Sequence, residues 1–135
     1  MKTNDERKYI LYKDLSYKVM DILFTVQNQL GNNLQEKHYQ KAVEQLLKEN
    51  KLVYQKELKA DLKYHGAFIG KYFLDFLIEK SIILELKAKP EIEADDIRQV
   101  YSYLKVTGLA LGILANFRPK RLIYKRIVNG KAIKN

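Results

Sequence analysis

The sequence predicts an α/β fold with its elements in the order ααβββαββ. Three observations carry this. Apolar residues recur at helical spacing through the first third of the chain, alternation replaces that period in the middle, and a further helical stretch precedes two final strands. At 135 residues and 47% hydrophobic, the chain can bury one sizeable core and leaves no room for a second domain. Residues 1–135 are read as that single domain, with 1–14 a charged lead-in and 131–135 a basic tail.

Each element has its own local reason. Over residues 15–30, Val19, Ile22, Leu23, Val26 and Leu30 fall on one helical stripe, and Gly31 is a natural C-terminal stop. After a Gly31-Asn32-Asn33 turn, residues 35–50 form a second helix with Tyr39, Val43, Leu46 and Leu47 inward. Leu52-Val53-Tyr54 begins a strand, residues 57–64 alternate weakly, and His65-Gly66 reads as a hairpin turn. Residues 68–78 and 82–88 read as two antiparallel strands joined by a short turn, and Pro90 ends the run. Residues 94–107 return to helical spacing through Ile97, Val100, Tyr101 and Leu104, with Gly108 as the stop. Residues 109–116 are then an apolar strand and 121–128 a basic one.

Composition excludes several function classes. With no cysteine there is no disulfide framework, thiolate nucleophile or Cys-ligated metal, and His38 and His65 alone make a histidine metal site improbable. No apolar run approaches the roughly 20 residues of a membrane helix, and the N-terminus lacks the apolar stretch of a secretory signal. A cytoplasmic protein with no membrane partner is the default. The net charge is +9, of which the last eighteen residues supply +7 without a single acid. That block contains Arg118, Lys120, Arg121, Lys125 and Arg126, and it fits either a polyanion such as nucleic acid or a solvated basic edge.

The stretch with the most chemistry in it runs from Tyr72 to Lys89. Along a strand, Glu85 and Lys87 share one face. If Glu79, Lys80 and Ser81 form a three-residue loop, Asp75 falls directly opposite Glu85, with Cβ atoms roughly 4.5–5.5 Å apart. Two carboxylates at that separation can hold one hard divalent cation, and an ammonium two residues on can position a water or counter charge on a phosphate. Phe73, Leu77 and Ile83 are expected to flank the trio on the same face, where charges are costly unless paired or metal-bound. The alternative is an ion pair in which Lys87 neutralises Glu85 or Asp75.

Two helical pairs add to this. Glu36 and Tyr39 share a side of the second helix, where Glu36 can equally serve as a helix-start charge. Gln99 and Tyr103 share a face of the later helix, as substrate contacts or as half-buried surface residues.

The Asp75…Glu85-x-Lys87 array followed by a helix and a strand resembles the PD-(D/E)xK nuclease superfamily, and within it the small GxxExxY family. The similarity runs over residues 17–130 and includes Glu36-x-x-Tyr39, Glu85-Leu-Lys87-Ala88, Tyr103-Leu-Lys-Val-Thr-Gly108, Asn116-Phe117 and the stretch from Lys125 to Gly130. Two positions depart from the pattern. Asn33 stands where the family's name motif opens with glycine, with a left-handed turn expected there because Asn tolerates it, and Leu74 replaces a proline before the first acid.

The resemblance implies a restriction-endonuclease-like core, a mixed sheet with helices on both sides. It implies Asp75 and Glu85 as ligands of Mg²⁺ or Mn²⁺, Lys87 as the catalytic lysine, and Glu36 as a further ligand or water-orienting acid. Gln99-x-x-x-Tyr103 is similar to the Gln/Tyr helix motif of the exonuclease-like branch. The implied reaction is metal-dependent phosphodiester hydrolysis, most naturally in DNA, with backbone contacts from Arg118 onward. A homodimer fits the implied class, since many nucleases of this size dimerise to cut two strands. Two other readings stay open: a non-catalytic nucleic-acid-binding module on the same fold, and an interaction protein whose acids and lysine form an internal ion-pair network.

Overall fold

The computed structural model describes residues 12–132. Most of the expected lead-in and residues 133–135 of the expected tail lie outside the described residues; the first helix begins at Lys13, two residues before its expected start.

Helix α1 (Lys13–Leu30) buries Val19, Ile22, Leu23 and Val26 along the predicted stripe. It stops at Gly31, whose φ of 77° suits glycine and whose N–H donates to the Gln27 carbonyl at 2.8 Å. Asn33 is not among the residues with positive φ, so the left-handed turn expected there is made by Gly31 instead. Helix α2 (Glu36–Glu49) opens on a reciprocal capping pair in which the Gln35 N–H donates to His38 Nδ1 at 3.1 Å, which accounts for one of the two histidines.

Strands β1 (Tyr54–Tyr64), β2 (Ala67–Ile78), β3 (Ile82–Lys87), β4 (Leu111–Asn116) and β5 (Ile123–Val128) form one sheet in sequence order. All neighbours are antiparallel except β3 and β4. That parallel pair requires a crossover, supplied by helix α3 (Ala94–Thr107). The final strand starts at Ile123, later than expected, so Arg118, Lys120 and Arg121 belong to the turn before it.

Helices α1 and α2 cover one face of the sheet over Phe76, Ile78, Ile82, Leu84, Leu86 and Ile113, and α3 covers the other over Leu74, Ile83, Leu114 and Ile127. Because β3 and β4 are covered on both sides, they read as continuous apolar runs rather than alternating ones. Helix α3 sits close to the sheet at Gly112, where a Cβ would stand 2.6 Å from Val100 Cγ1.

The β1–β2 hairpin changes its side midway. Tyr54 and Phe76 belong with the α1/α2 core, whereas Leu58, Ala60, Tyr72 and Leu74 pack with α3. Strict alternation would keep Tyr54 and Leu58 on one face. The inversion occurs at Glu57, which takes a left-handed φ of 56° opposite Asp75, between the Lys56–Phe76 and Leu58–Leu74 pairs. It corrects one expectation: Leu77 and Ile83 pack on the α3 side, but Phe73 is turned outward and is 59% exposed.

Candidate active site

The β2–β3 register is the one a three-residue turn demands, with Ile78 opposite Ile82, Leu77 opposite Ile83 and Phe76 opposite Leu84. Continued by one residue it sets Asp75 against Glu85, and there the backbone ladder stops. Side chains take over the hydrogen bonds: the Asp75 N–H donates to Glu85 Oε1 at 3.1 Å, and the Leu86 N–H donates to Asp75 Oδ2 at 2.7 Å. The two strands therefore part at the two acids, and the opening is a cleft of about 590 Å³ bordered by Glu57, Phe73, Asp75, Glu85, Lys87 and Gln99.

Helix α2 fixes the other oxygen of Asp75, since Gln40 Nε2 donates to Oδ1 at 2.9 Å. Gln40 carries no motif and was not legible as a site residue; only its single helical turn from Glu36 hints at it. Lys87 Nζ lies 3.6 Å from Glu85 Oε2. The neighbouring Lys89 is engaged elsewhere, 2.8 Å from Asp96 and 3.4 Å from Glu93 at the start of α3. Lys87 is thus the lysine that faces the carboxylates. The end of β3 is held by Asn116, fully buried, whose Nδ2 donates to the Lys89 carbonyl at 2.8 Å and whose Oδ1 accepts the Lys89 N–H at 3.0 Å. In the sequence it shows as an amide closing an apolar strand and as part of the Asn116-Phe117 match of the resemblance.

Burial dominates the electrostatics. Desolvation raises the pKa of Asp75, although hydrogen bonds from its neighbours and the Lys87 charge oppose it. Glu85 is pushed up to about 9, first by burial and then by the Asp75 charge beside it. The pair thus holds a proton that two ordinary carboxylates would lose. Glu36 is also raised, chiefly by burial, with Lys87 lowering and Asp75 raising it; it shares the field of the trio. Among the described residues no three His, Cys, Asp or Glu side chains gather closely enough to form a metal cage.

The other expected residues fall into place unevenly. Gln99 reaches the cleft, its Nε2 donating to the Phe73 carbonyl at 3.2 Å. Tyr103 is buried in the α3 cluster behind it, and burial raises its pKa. Tyr39 is wholly buried, stacked on Phe117 at 4.4 Å, with its hydroxyl donating to the Gly31 carbonyl at 2.6 Å. It braces the α1–α2 turn that presents Glu36. Arg118 borders Glu36 in a small recess, Lys125 pairs with Leu114 on the α3 side of β5, and Arg126 pairs with Ile113 on the α1 side.

The mixed sheet, the helices on both faces and the cleft with paired carboxylates beside a lysine define an α/β protein of the nuclease-like kind. A family model described as the PD-(D/E)XK nuclease superfamily matches residues 13–127, and the chain belongs to that superfamily. Among solved structures it is similar to the one titled "Crystal structure of SSO0001", with 18% identity and a TM-score of 0.57 over 90% of this chain; it spans 62% of that protein's length. At that identity the likeness speaks to the fold. No curated protein sequence matches the chain. No helix among the described residues is long and apolar enough to cross a membrane.

Proposed function

We propose that the protein is a metal-dependent nuclease that hydrolyses phosphodiester bonds in nucleic acid, with DNA as the favoured substrate. The observation that carries this is the meeting of Asp75 and Glu85 where β2 and β3 part, with Lys87 beside them at the wall of an open cleft. The donor set suits a hard divalent cation. It offers carboxylate oxygens only, and burial together with mutual repulsion makes their joint ionisation unfavourable until a positive charge offsets it. Asp75 and Glu85 would hold Mg²⁺ or Mn²⁺, which supplies Lewis acidity and a more acidic water when bound. Lys87 holds its ammonium against Glu85, where it can orient a water or meet charge developing on phosphate. Gln40 keeps Asp75 turned toward Glu85, and Gln99 holds the backbone of the cleft lip at Phe73.

The finer assignment to the GxxExxY family draws on Glu36 and Tyr39, with Glu36 in the electrostatic field of the trio and Tyr39 bracing its turn. Cleavage of labelled DNA and RNA with and without Mg²⁺ or Mn²⁺, by the parent and by Lys87→Ala, tests the proposal.

A non-catalytic nucleic-acid-binding module is the second reading, favoured by the Lys87–Glu85 ion pair, which leaves the lysine already engaged. It expects salt-sensitive binding that survives Asp75→Asn and no metal-dependent cutting.

A further inference from the structure

One face of the β1–β2 hairpin is uncovered along its outer half. Leu58, Ala60, Tyr72 and Leu74 turn toward α3, so the alternate residues Lys59, Asp61, Lys71 and Phe73 turn the other way. Lys59 lies opposite Phe73 and Asp61 opposite Lys71. Past the irregularity at Leu62/Lys63, Phe68 lies opposite Lys63, and the Lys71 ammonium stands 5.6 Å from the Phe68 ring centroid. Phe68 and Phe73 are 56% and 59% exposed.

The chemistry of that face selects its occupant. Three lysines stand against one acid, and none of the three makes an ion pair with a described residue. Protein interfaces are depleted in lysine at their centres, so a protein partner is a poor match for rings set among ammonium groups. A polyanion with flat apolar faces is a good one: phosphates for the lysines, bases for the rings. Bases within a duplex are already stacked on each other, which leaves an unpaired strand as the form these rings can reach. Phe73 also borders the cleft beside Asp75 and Glu85, so the face leads into the candidate site.

We infer that the uncovered face of the β1–β2 hairpin is a binding track for single-stranded nucleic acid, its bases stacking on Phe68 and Phe73 and its phosphates meeting Lys59, Lys63 and Lys71. The inference rests on the nuclease reading for its choice of polymer, and it adds the strand state and the surface.

The test is fluorescence anisotropy of labelled oligothymidylate and of a labelled duplex, measured in chelator so that nothing is cut. Parent, Phe68→Ala/Phe73→Ala, Phe68→Tyr/Phe73→Tyr and Lys59→Glu/Lys71→Glu are compared. The double alanine variant is expected to weaken single-strand binding about fivefold or more, with duplex binding changed less than twofold and the tyrosine variant close to the parent. The glutamate variant is expected to weaken single-strand binding and flatten its salt dependence. Equal weakening on both polymers, no weakening, or a parent dimer that the double alanine variant dissociates overturns the inference. A parent that binds duplex but ignores single strands overturns the track alone. A parent that binds neither polymer removes the nuclease reading with it.

Discussion

Asp75 and Glu85 replace a backbone ladder with their side chains: the Asp75 N–H donates to Glu85 Oε1 at 3.1 Å, where a continued antiparallel pair would use a carbonyl. The consequence is a sheet that is closed on the apolar side of this point and open on the polar side. Both acids are thereby held at the mouth of the opening, each within reach of the other's charge.

The metal-free protein is expected to lose stability as pH rises. Both carboxyls have folded pKa values above their ordinary ones, so the folded state binds more protons than the unfolded state. The Glu85 contribution is full below its ordinary value of 4.5 and is lost as pH rises through about 9, and the raised Asp75 carboxyl acts in the same direction. Glu85→Gln removes one member of the repelling pair and should raise the melting temperature at pH 8 in chelator while flattening the pH profile. Thermal unfolding of parent and variant across that range checks it; a parent whose stability rises over the same window counts against the assignment.

Added Mn²⁺ or Mg²⁺ should recover that lost stability. Binding to the folded state alone contributes about 2.7 kcal/mol at a hundredfold excess over Kd. Asp75→Asn should abolish the metal-dependent rise in melting temperature while retaining a cooperative transition. An equal rise in the variant would place the ion elsewhere.

Gln40→Ala should act through Asp75. It removes the 2.9 Å bond that orients Oδ1, on a half-buried helix face where little packing is lost. Metal affinity is expected to fall on the order of 10- to 100-fold, as for other residues that orient ligands, with the melting temperature in chelator little changed. Titration calorimetry with Mn²⁺ separates that from simple unfolding.

Gly112→Ala tests the seat of α3. The added Cβ would meet Val100 Cγ1 at 2.6 Å, on a helical β-branched side chain with little rotamer freedom. A loss of about 1–3 kcal/mol is expected in denaturant unfolding. Val100→Ala in the same chain should return part of it, and two independent, additive losses would contradict the close contact.

Much of this arrangement could be read before the structure, for identifiable reasons. The element order follows from hydrophobic period, and the Asp75–Glu85 juxtaposition follows from one turn length, because side-chain period in a strand is two. That turn has no glycine, yet Glu79 and Lys80 both take left-handed φ values, of 51° and 55°. The hairpin inversion was hidden because Glu57, an ordinary exposed acid, gives no sign of its left-handed backbone. Tyr39 shows the limit in the other direction: a residue of the resemblance motif lies wholly in the core, serving the turn that presents Glu36. Gln40 was illegible since its role depends on a contact across 35 residues of chain, and the Asn116-Phe117 match gave no sign of the Lys89 contacts 27 residues away.

The most direct test is cleavage of a mixed panel of labelled DNA and RNA with Mg²⁺ or Mn²⁺, by parent and Lys87→Ala purified in parallel. Metal-dependent cutting by the parent is expected, with at least a hundredfold loss in the variant, about 2.7 kcal/mol of transition-state stabilisation. Equal cutting by both, or none by the parent under either metal, would contradict it.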